Sequence, residues 1–398
     1  MDSHSRVRTA RRHCGPCGVG IGDVAYAAAR RAGPRPPWPQ FDGRQVALTH
    51  CARTAIALAC RRWGLGPGDE ALVPSYNCGS EVDVLLKLGL DVRMYRVDRA
   101  TCIDQEHVRS LCGPRTRLVL VIHYFGWPQD IRDLAAWCRE RNIRLLEDCA
   151  LALFSDGPDG SLGRLGDAAV FSLPKTLPVP DGGILSLPAT VNGASEPLVA
   201  PPWWPLLRRT LPLLKARTLH NAESLGLYPL ARRVLGRSWL RSRIASNGAP
   251  YPDMPASYYF DLRLAHCGVS RLTAGLIANV DPEVIQAARR RNYLQLQREL
   301  VDVPGVRPLF AELPAGVCPL CFPVLVADRP RWLAALHAWG VPAIGWWAGY
   351  HQALPWVDFP EACDLKDQVV SLPVHQDLSL DHTGHVSDCV RQIAQAAR

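Results

Sequence analysis

RTRLVLVIHYFGWPQDIRDLAAWCRERNIRLLED, residues 115–148, decides the fold class. Leu118 to His123 is a near-continuous apolar run, as expected of a strand buried on both faces of a parallel sheet. Ile131 to Arg141 has the spacing of an amphipathic helix, and Ile143 to Asp148 reads as the next strand. Strand, helix and strand with short links make the crossover unit of an α/β fold.

The alternation runs outward from about Val46 to Gly183. Thr54 to Trp63 reads as a helix, followed by the turn GLGPGDE at Gly64 to Glu70 and a buried strand from Ala71 to Pro74. Glu81 to Leu88 reads as a helix. Val92 to Val97, Ala168 to Leu173 and Gly183 to Leu187 read as strands. This predicts a large domain over 46–265, with a largely parallel sheet, behind an N-terminal arm at 1–45. A stretch from about 200 to 251, rich in Leu, Arg, Pro and Trp, interrupts the pattern. It is read as an insertion that covers the site or pairs with a partner, in preference to one that touches a membrane. From about Leu272 a long helix carrying Arg289 to Leu300, strands in Val317 to Val326 and further helices predict a smaller α+β domain over 266–398.

Composition narrows the class. The chain has 398 residues, enough for two buried cores. Hydrophobic residues are 48% and charged residues 21%, as in a soluble globular protein. No run of about 20 apolar residues suggests a membrane span. The N-terminus is basic without an apolar signal core, so the expected compartment is the cytoplasm, with its 14 cysteines reduced. Cys14/Cys17 and Cys318/Cys321 form two CxxC pairs, but neither has flanking ligands, so no metal is expected. The net charge is +8. It is read as scattered, solvated arginine, including Arg6 to Arg12, Arg232 to Arg243 and Arg289 to Arg291. No basic face with interleaved aromatics points to nucleic acid; a phosphate-bearing substrate suits the charge.

Of 45 basic residues only Lys87, Lys175, Lys215 and Lys366 are lysines. Lysine, unlike arginine, can become a nucleophilic amine. Lys175 stands in FSLPKTLPVPDGG, residues 171–183, just after a strand. Pyridoxal phosphate chemistry needs such an amine to hold the cofactor as a Schiff base; a surface lysine is the alternative. Three other strand-end clusters join it, where open α/β sheets bind ligands. Ala52, Arg53 and Thr54 open a helix whose free N–H groups suit a phosphate, or they form a plain cap. Glu147 and Asp148 end a strand, where a carboxylate could pair with a pyridine nitrogen or simply face solvent. His123 and the aromatics after it could face a ring ligand or be structural.

Together these segments resemble the DegT/StrS-type sugar aminotransferases, members of the fold-type I pyridoxal-phosphate enzymes. The resemblance rests on CARTAIAL (51–58), GLGPGDEALVPSY (64–76), RTRLVLVIHYFGWPQD (115–130), LLEDCA (145–150), GDAAVFSLPK (166–175) with DGG (181–183), SRLTAG (270–275) and SLPVH (371–375). It implies that Lys175 is the Schiff-base lysine and proton shuttle, and that Asp148 holds the pyridine nitrogen. It implies that Ala52, Arg53 and Thr54, with Ser172, bind the phosphate. It implies that Arg271 reaches toward a neighbouring subunit, so a homodimer with shared sites is expected. The implied reaction moves an amino group from glutamate or glutamine to a keto sugar, nucleotide-linked, for a polysaccharide or glycoside. The chain departs from the family pattern at Ala52-Arg53, where Gly-Thr is usual. It departs again at Leu151, where a glutamine is usual, and at Val269, where an asparagine is usual. Its lysine loop is short. The ring-stacking position falls on Cys78, with Tyr76 and His123 as candidate replacements.

Overall fold

The computed structural model describes residues 14–29, 36–190, 197–236, 250–347 and 349–396. The expected arm is thus described in part, and Arg6 to Arg12 lie outside these residues, as do the arginines beyond Gly236 in the insertion.

Seven strands form the central sheet: β1 (Arg44–Thr49), β2 (Glu70–Pro74), β3 (Asp91–Tyr95), β4 (Thr116–Ile122), β5 (Arg144–Asp148), β6 (Ala168–Ser172) and β7 (Gly183–Pro188). Their order is β1-β7-β6-β5-β4-β2-β3. All run parallel except β7, which is antiparallel to both neighbours. The middles of the central strands are apolar and buried on both sheet faces. Leu118 to Val121 and Leu145 to Leu146 are essentially inaccessible. Each such side chain contributes about 1.5–3 kcal/mol by burial.

Register sets the site. Ile122 lies opposite Asp148, Asp148 opposite Val170, Ser172 opposite Gly183, and Gly183 opposite Thr49. The carboxyl ends of β1, β4, β5 and β6 therefore share one edge of the sheet. β1 was not distinguished in the sequence, since RQVALT has no clean alternation; its pairing with β7 makes it a strand. From β1 the chain turns into helix α2 (Ala52–Arg62). Gly183 packs directly on that turn: a Cβ there would come within 2.2 Å of the Cys51 carbonyl carbon. Only glycine permits this approach.

A second, antiparallel sheet contains β8 (Arg307–Pro308), β9 (Phe322–Leu325), β10 (Ile344–Gly345) and β11 (Val369–Leu372), in the order β8-β9-β11-β10. The expected long helix before it is two. The first is Arg271–Ile277, and the second is Pro282–Leu300, capped by Asp281, whose side chain accepts the Glu283 and Val284 N–H groups. Proline at the first helical position and an aspartate cap make a strong local start signal. The insertion forms two further helices, Trp203–Ser224 and Tyr228–Leu235.

Of the triplet Arg289 to Arg291, Arg291 is exposed as expected, Arg290 is half-buried and Arg289 is buried. All three donate hydrogen bonds, mostly to backbone carbonyls.

Candidate active site

Lys175 occupies the short helical turn Leu173–Thr176 directly after β6. It lines a cavity of about 460 Å³ between this turn and the second sheet, with Arg289, His337, Trp346 and His375 on the opposite wall. Arg289 Nη2 and Gln376 Nε2 both donate to the Thr176 carbonyl, at 3.0 and 3.1 Å. They pin the turn that carries the lysine to the C-terminal part of the chain. Sequence reading missed both roles; Arg289 was read only as a solvated arginine on a long helix.

Asp148 ends β5 and is buried. Its Oδ1 accepts the Ala150 N–H at 2.8 Å. Burial pushes this carboxyl up to about 6, and the nearby Lys175 charge opposes the rise. Glu147, the other half of the pair, faces away and is committed. It accepts from His123 at 3.0 Å and from the Gly163 and Gly166 amides at 3.2 and 2.6 Å. Alternation along a strand separates the two carboxylates: one serves the interior, the other the edge.

His123 is structural in this arrangement. Its Nδ1 accepts the Gln129 N–H, so Nε2 carries the proton and donates to Glu147. Its imidazole is inaccessible. Cys149 lies beside this pair, making a His-Glu-Cys group of metal-holding size. The histidine has no free lone pair there, so the group is an internal hydrogen-bond network. The turn after His123 is tightly wound: Phe125 has φ 55° and Gly126 φ 111°.

Tyr76 is also buried, and its ring packs on Tyr124 and Trp347 at centroid distances of 5.2 and 4.9 Å. Its hydroxyl is enclosed without a hydrogen-bond partner. Of the three ring-stacking candidates, Cys78 is the one the structure puts near Lys175, whose charge acts on its thiol. Burial and then Glu81 raise that thiol above its ordinary value, so it stays protonated and neutral. Its N–H is held by Glu81 Oε1 at 2.7 Å.

At the start of α2, Thr54 is buried and its hydroxyl donates to the Leu264 carbonyl. Arg53 is turned outward: Nη1 donates to the carbonyls of Ser257, Tyr258 and Tyr259. Neither side chain is directed at a phosphate. What remains for an anion is the helix end itself, with its first backbone N–H groups and positive dipole end. Ser172 lies half-buried at the end of β6.

Asp181 ties the SRLTAG segment to this edge. It is buried and accepts from the Ser270 N–H and hydroxyl, at 2.9 and 2.7 Å, and from the Thr273 hydroxyl. Burial alone would raise it, but His50, Thr273 and Ser270 hold it below the ordinary carboxylate value. Arg271 follows at the first helical position, exposed.

The segment that carries this edge is similar to known proteins. Residues 40–189 match the profile of the DegT/DnrJ/EryC1/StrS aminotransferase family. Over these residues the chain is similar to that family. The "Spore coat polysaccharide biosynthesis protein SpsC" of Bacillus subtilis is 24% identical over 378 residues, covering 88% of this chain and 86% of that protein. A "dTDP-4-dehydro-2,3,6-trideoxy-D-glucose 4-aminotransferase" of Saccharopolyspora spinosa is 31% identical over 146 residues. That match spans 36% of this chain and 38% of the other. Among solved structures, the PMP form of the "putative sugar aminotransferase Spr1654" of Streptococcus pneumoniae superposes with a TM-score of 0.67. Its identity is 15%, with 96% of this chain and 100% of that one covered. At that identity the likeness establishes the fold.

The residues fit the cofactor that this fold implies. A carboxyl raised to about 6 by burial, with one backbone hydrogen bond and a nearby amine, is the environment a protonated ring nitrogen would relieve. Leu151, buried and apolar, offers nothing to a phenolic oxygen. That one contact has no counterpart at this position.

Proposed function

We propose that this protein is a pyridoxal-phosphate-dependent aminotransferase that moves an amino group from glutamate or glutamine to a keto sugar, carried on a nucleotide, for a polysaccharide or glycoside. The observation that carries the reading is Lys175 placed one strand from the buried, raised Asp148 at the carboxyl edge of a parallel sheet. The activities for which the relatives are named support the substrate class.

In this reading the bound cofactor supplies an electron sink for the pair released when the donor's α C–H bond breaks. The Lys175 amine would hold the cofactor and, once released, would take the donor's α-proton at Nζ and return it to the carbon on the cofactor side of the linking nitrogen. Asp148 would keep the ring nitrogen protonated. The α2 N-terminus would receive the phosphate through backbone amides. Cys78 presents a neutral thiol where the family usually stacks a ring, and Arg289 with Gln376 fixes the backbone that carries Lys175. A second subunit, approached through Arg271, would complete the site.

A second reading, a binding protein on the same fold, is favoured by Leu151 alone. One experiment separates them. Purified protein with pyridoxal phosphate is expected to show the yellow absorbance band of a lysine-bound cofactor. The band should disappear in Lys175→Ala and convert to the amine form when glutamate or glutamine is added. A band unchanged in Lys175→Ala would sink the lysine assignment. A band inert to both donors would favour the binding protein.

A further inference from the structure

The net charge of this chain is not scattered. Pro201 to Pro250 contain nine basic residues and one acidic residue, Glu223. Subtracting these from 45 and 37 leaves 36 basic and 36 acidic residues in the other 348 positions. The excess of +8 therefore resides in the insertion, while the rest of the protein is neutral by formal count.

The same segment concentrates exposed apolar surface. Of the 19 large hydrophobic side chains exposed among the described residues, nine lie between Trp203 and Leu235. The insertion helices dock by one face only. Thr210, Ala216, Leu219 and Tyr228 are buried, and the Val19 N–H donates to the Leu213 carbonyl. Glu223 accepts from His382 and Arg217 reaches Asp377, so the lone acid is spent toward the protein. On the outer side Trp203, Leu207 and Leu211 recur every four residues and form one stripe. Trp203 is 70% exposed and Trp204 55%. The second helix also exposes apolar side chains, Leu230 at 62% and Val234 at 75%. Arg208, Arg209 and Arg233 are exposed beside these residues.

We infer that the outer face of the insertion helices, led by Trp203 and Trp204, binds the surface of an anionic lipid bilayer. Tryptophan and leucine flanked by arginine is the pattern of a helix that lies in the headgroup region. Tryptophan favours that depth because one side of the indole is apolar and the N–H can stay wet. The arginines add attraction to anionic headgroups near the surface. Charge argues against a second copy as the occupant. A two-fold contact places the same patch against itself, and here it would bring together two surfaces of one sign. No described helix is long and apolar enough to cross a membrane, so the attachment is peripheral. The inference goes beyond the aminotransferase reading and is independent of it.

The test is flotation of the full chain with phosphatidylcholine vesicles, with or without phosphatidylglycerol. The protein is expected to float with the anionic vesicles and to stay behind with the neutral ones. Raised salt should weaken binding. Arg208→Glu with Arg209→Glu, and separately Trp203→Ser with Trp204→Ser, should each weaken it by roughly tenfold or more. These side chains are exposed, so folding should survive; circular dichroism and the melting temperature check that. Equal behaviour with the two vesicle types overturns the proposal. So does full binding by the tryptophan variant. Sedimentation velocity supplies the other outcome: if the tryptophan variant converts an oligomer into a monomer, the face is an interface between copies and the lipid assignment falls.

Discussion

Lys366 Nζ donates to the Asn77 carbonyl at 2.8 Å, joining two residues 289 positions apart. It also donates to the carbonyls of Gly349 and Trp347, at 3.0 and 3.3 Å, and lies over the rings of Trp356 and Tyr350. The side chain is buried, and burial draws its amine down to about 8. Asn77 lies between Tyr76 and Cys78, so this lysine fastens the turn beside the site to the C-terminal part of the chain. Lys366→Met removes all three donors. Each orphaned buried carbonyl costs about 1–3 kcal/mol, and relief from burying a charge returns part of it. The expected net loss is about 3 kcal/mol, read as a lower urea midpoint in the cofactor-free protein. An unchanged midpoint would mean that the carbonyls find other donors.

Asp148 gives the pH prediction its unusual sign. Its folded value, about 6, lies above the ordinary 3.8. Between these values the native protein holds a proton that the unfolded chain has released. Stability from this group is therefore full below about 4, declines as pH rises, and is lost above about 6. The shift corresponds to about 3 kcal/mol at most. Asp148→Asn should be more stable than the parent near pH 8 without cofactor, by about 1–3 kcal/mol. The gap should close near pH 4. The same variant should bind pyridoxal phosphate more weakly. A parent as stable as the variant at both pH values would show that the carboxyl is hydrated.

Glu147 behaves in the opposite sense. Burial would raise Glu147, but the His123 hydrogen bond and two backbone amides hold it below its ordinary 4.5. A depressed folded value means stability that is present above the ordinary pKa and lost as pH falls below it. His123→Ala removes one of these partners and also orphans the Gln129 amide. The expected loss is about 2–4 kcal/mol at neutral pH. Acid unfolding should begin at higher pH than in the parent. Chemical denaturation at neutral and mildly acidic pH checks both; retained acid stability would remove His123 from the network.

The sequence was most readable where one rule governs each residue. Leu118 to His123 had to be a buried strand because the run is apolar on both faces, and Asp148 had to end a strand because IRLLE leads into it. Lys175 was conspicuous because the chain is so poor in lysine. β1 was invisible because its partner, β7, is far along the chain: Arg44 pairs with Pro188, 144 residues away, a distance no local pattern reports. The surroundings of His123, Tyr76 and Arg53 were not legible for a related reason. Whether a polar side chain faces a ligand or a carbonyl depends on segments distant in sequence, such as Ser257 to Tyr259. Lys366 was noticed only as one of four lysines, since its three acceptors come from two separate stretches. The charge balance was in the sequence throughout, but it becomes informative only when the insertion is seen to expose an outer face.

Arg53 is the residue whose position most sharply separates the cap reading from the phosphate reading. Its guanidinium donates to the carbonyls of Ser257, Tyr258 and Tyr259, at 3.1, 2.7 and 3.2 Å, and approaches the Phe260 ring. If the phosphate is held by the backbone at the start of α2, Arg53→Ala should change pyridoxal phosphate affinity by no more than about threefold, because the helix end is intact. The cost should appear elsewhere. Three carbonyls lose a charged donor, so residues 256–260 should become more open to protease, and stability should fall by about 1–3 kcal/mol. If the guanidinium instead swings to the phosphate when the cofactor binds, affinity should fall by roughly tenfold to a hundredfold, the equivalent of one charged hydrogen bond. A cofactor titration of this single variant, with limited proteolysis alongside, distinguishes a residue that anchors a neighbouring segment from one that grips the ligand.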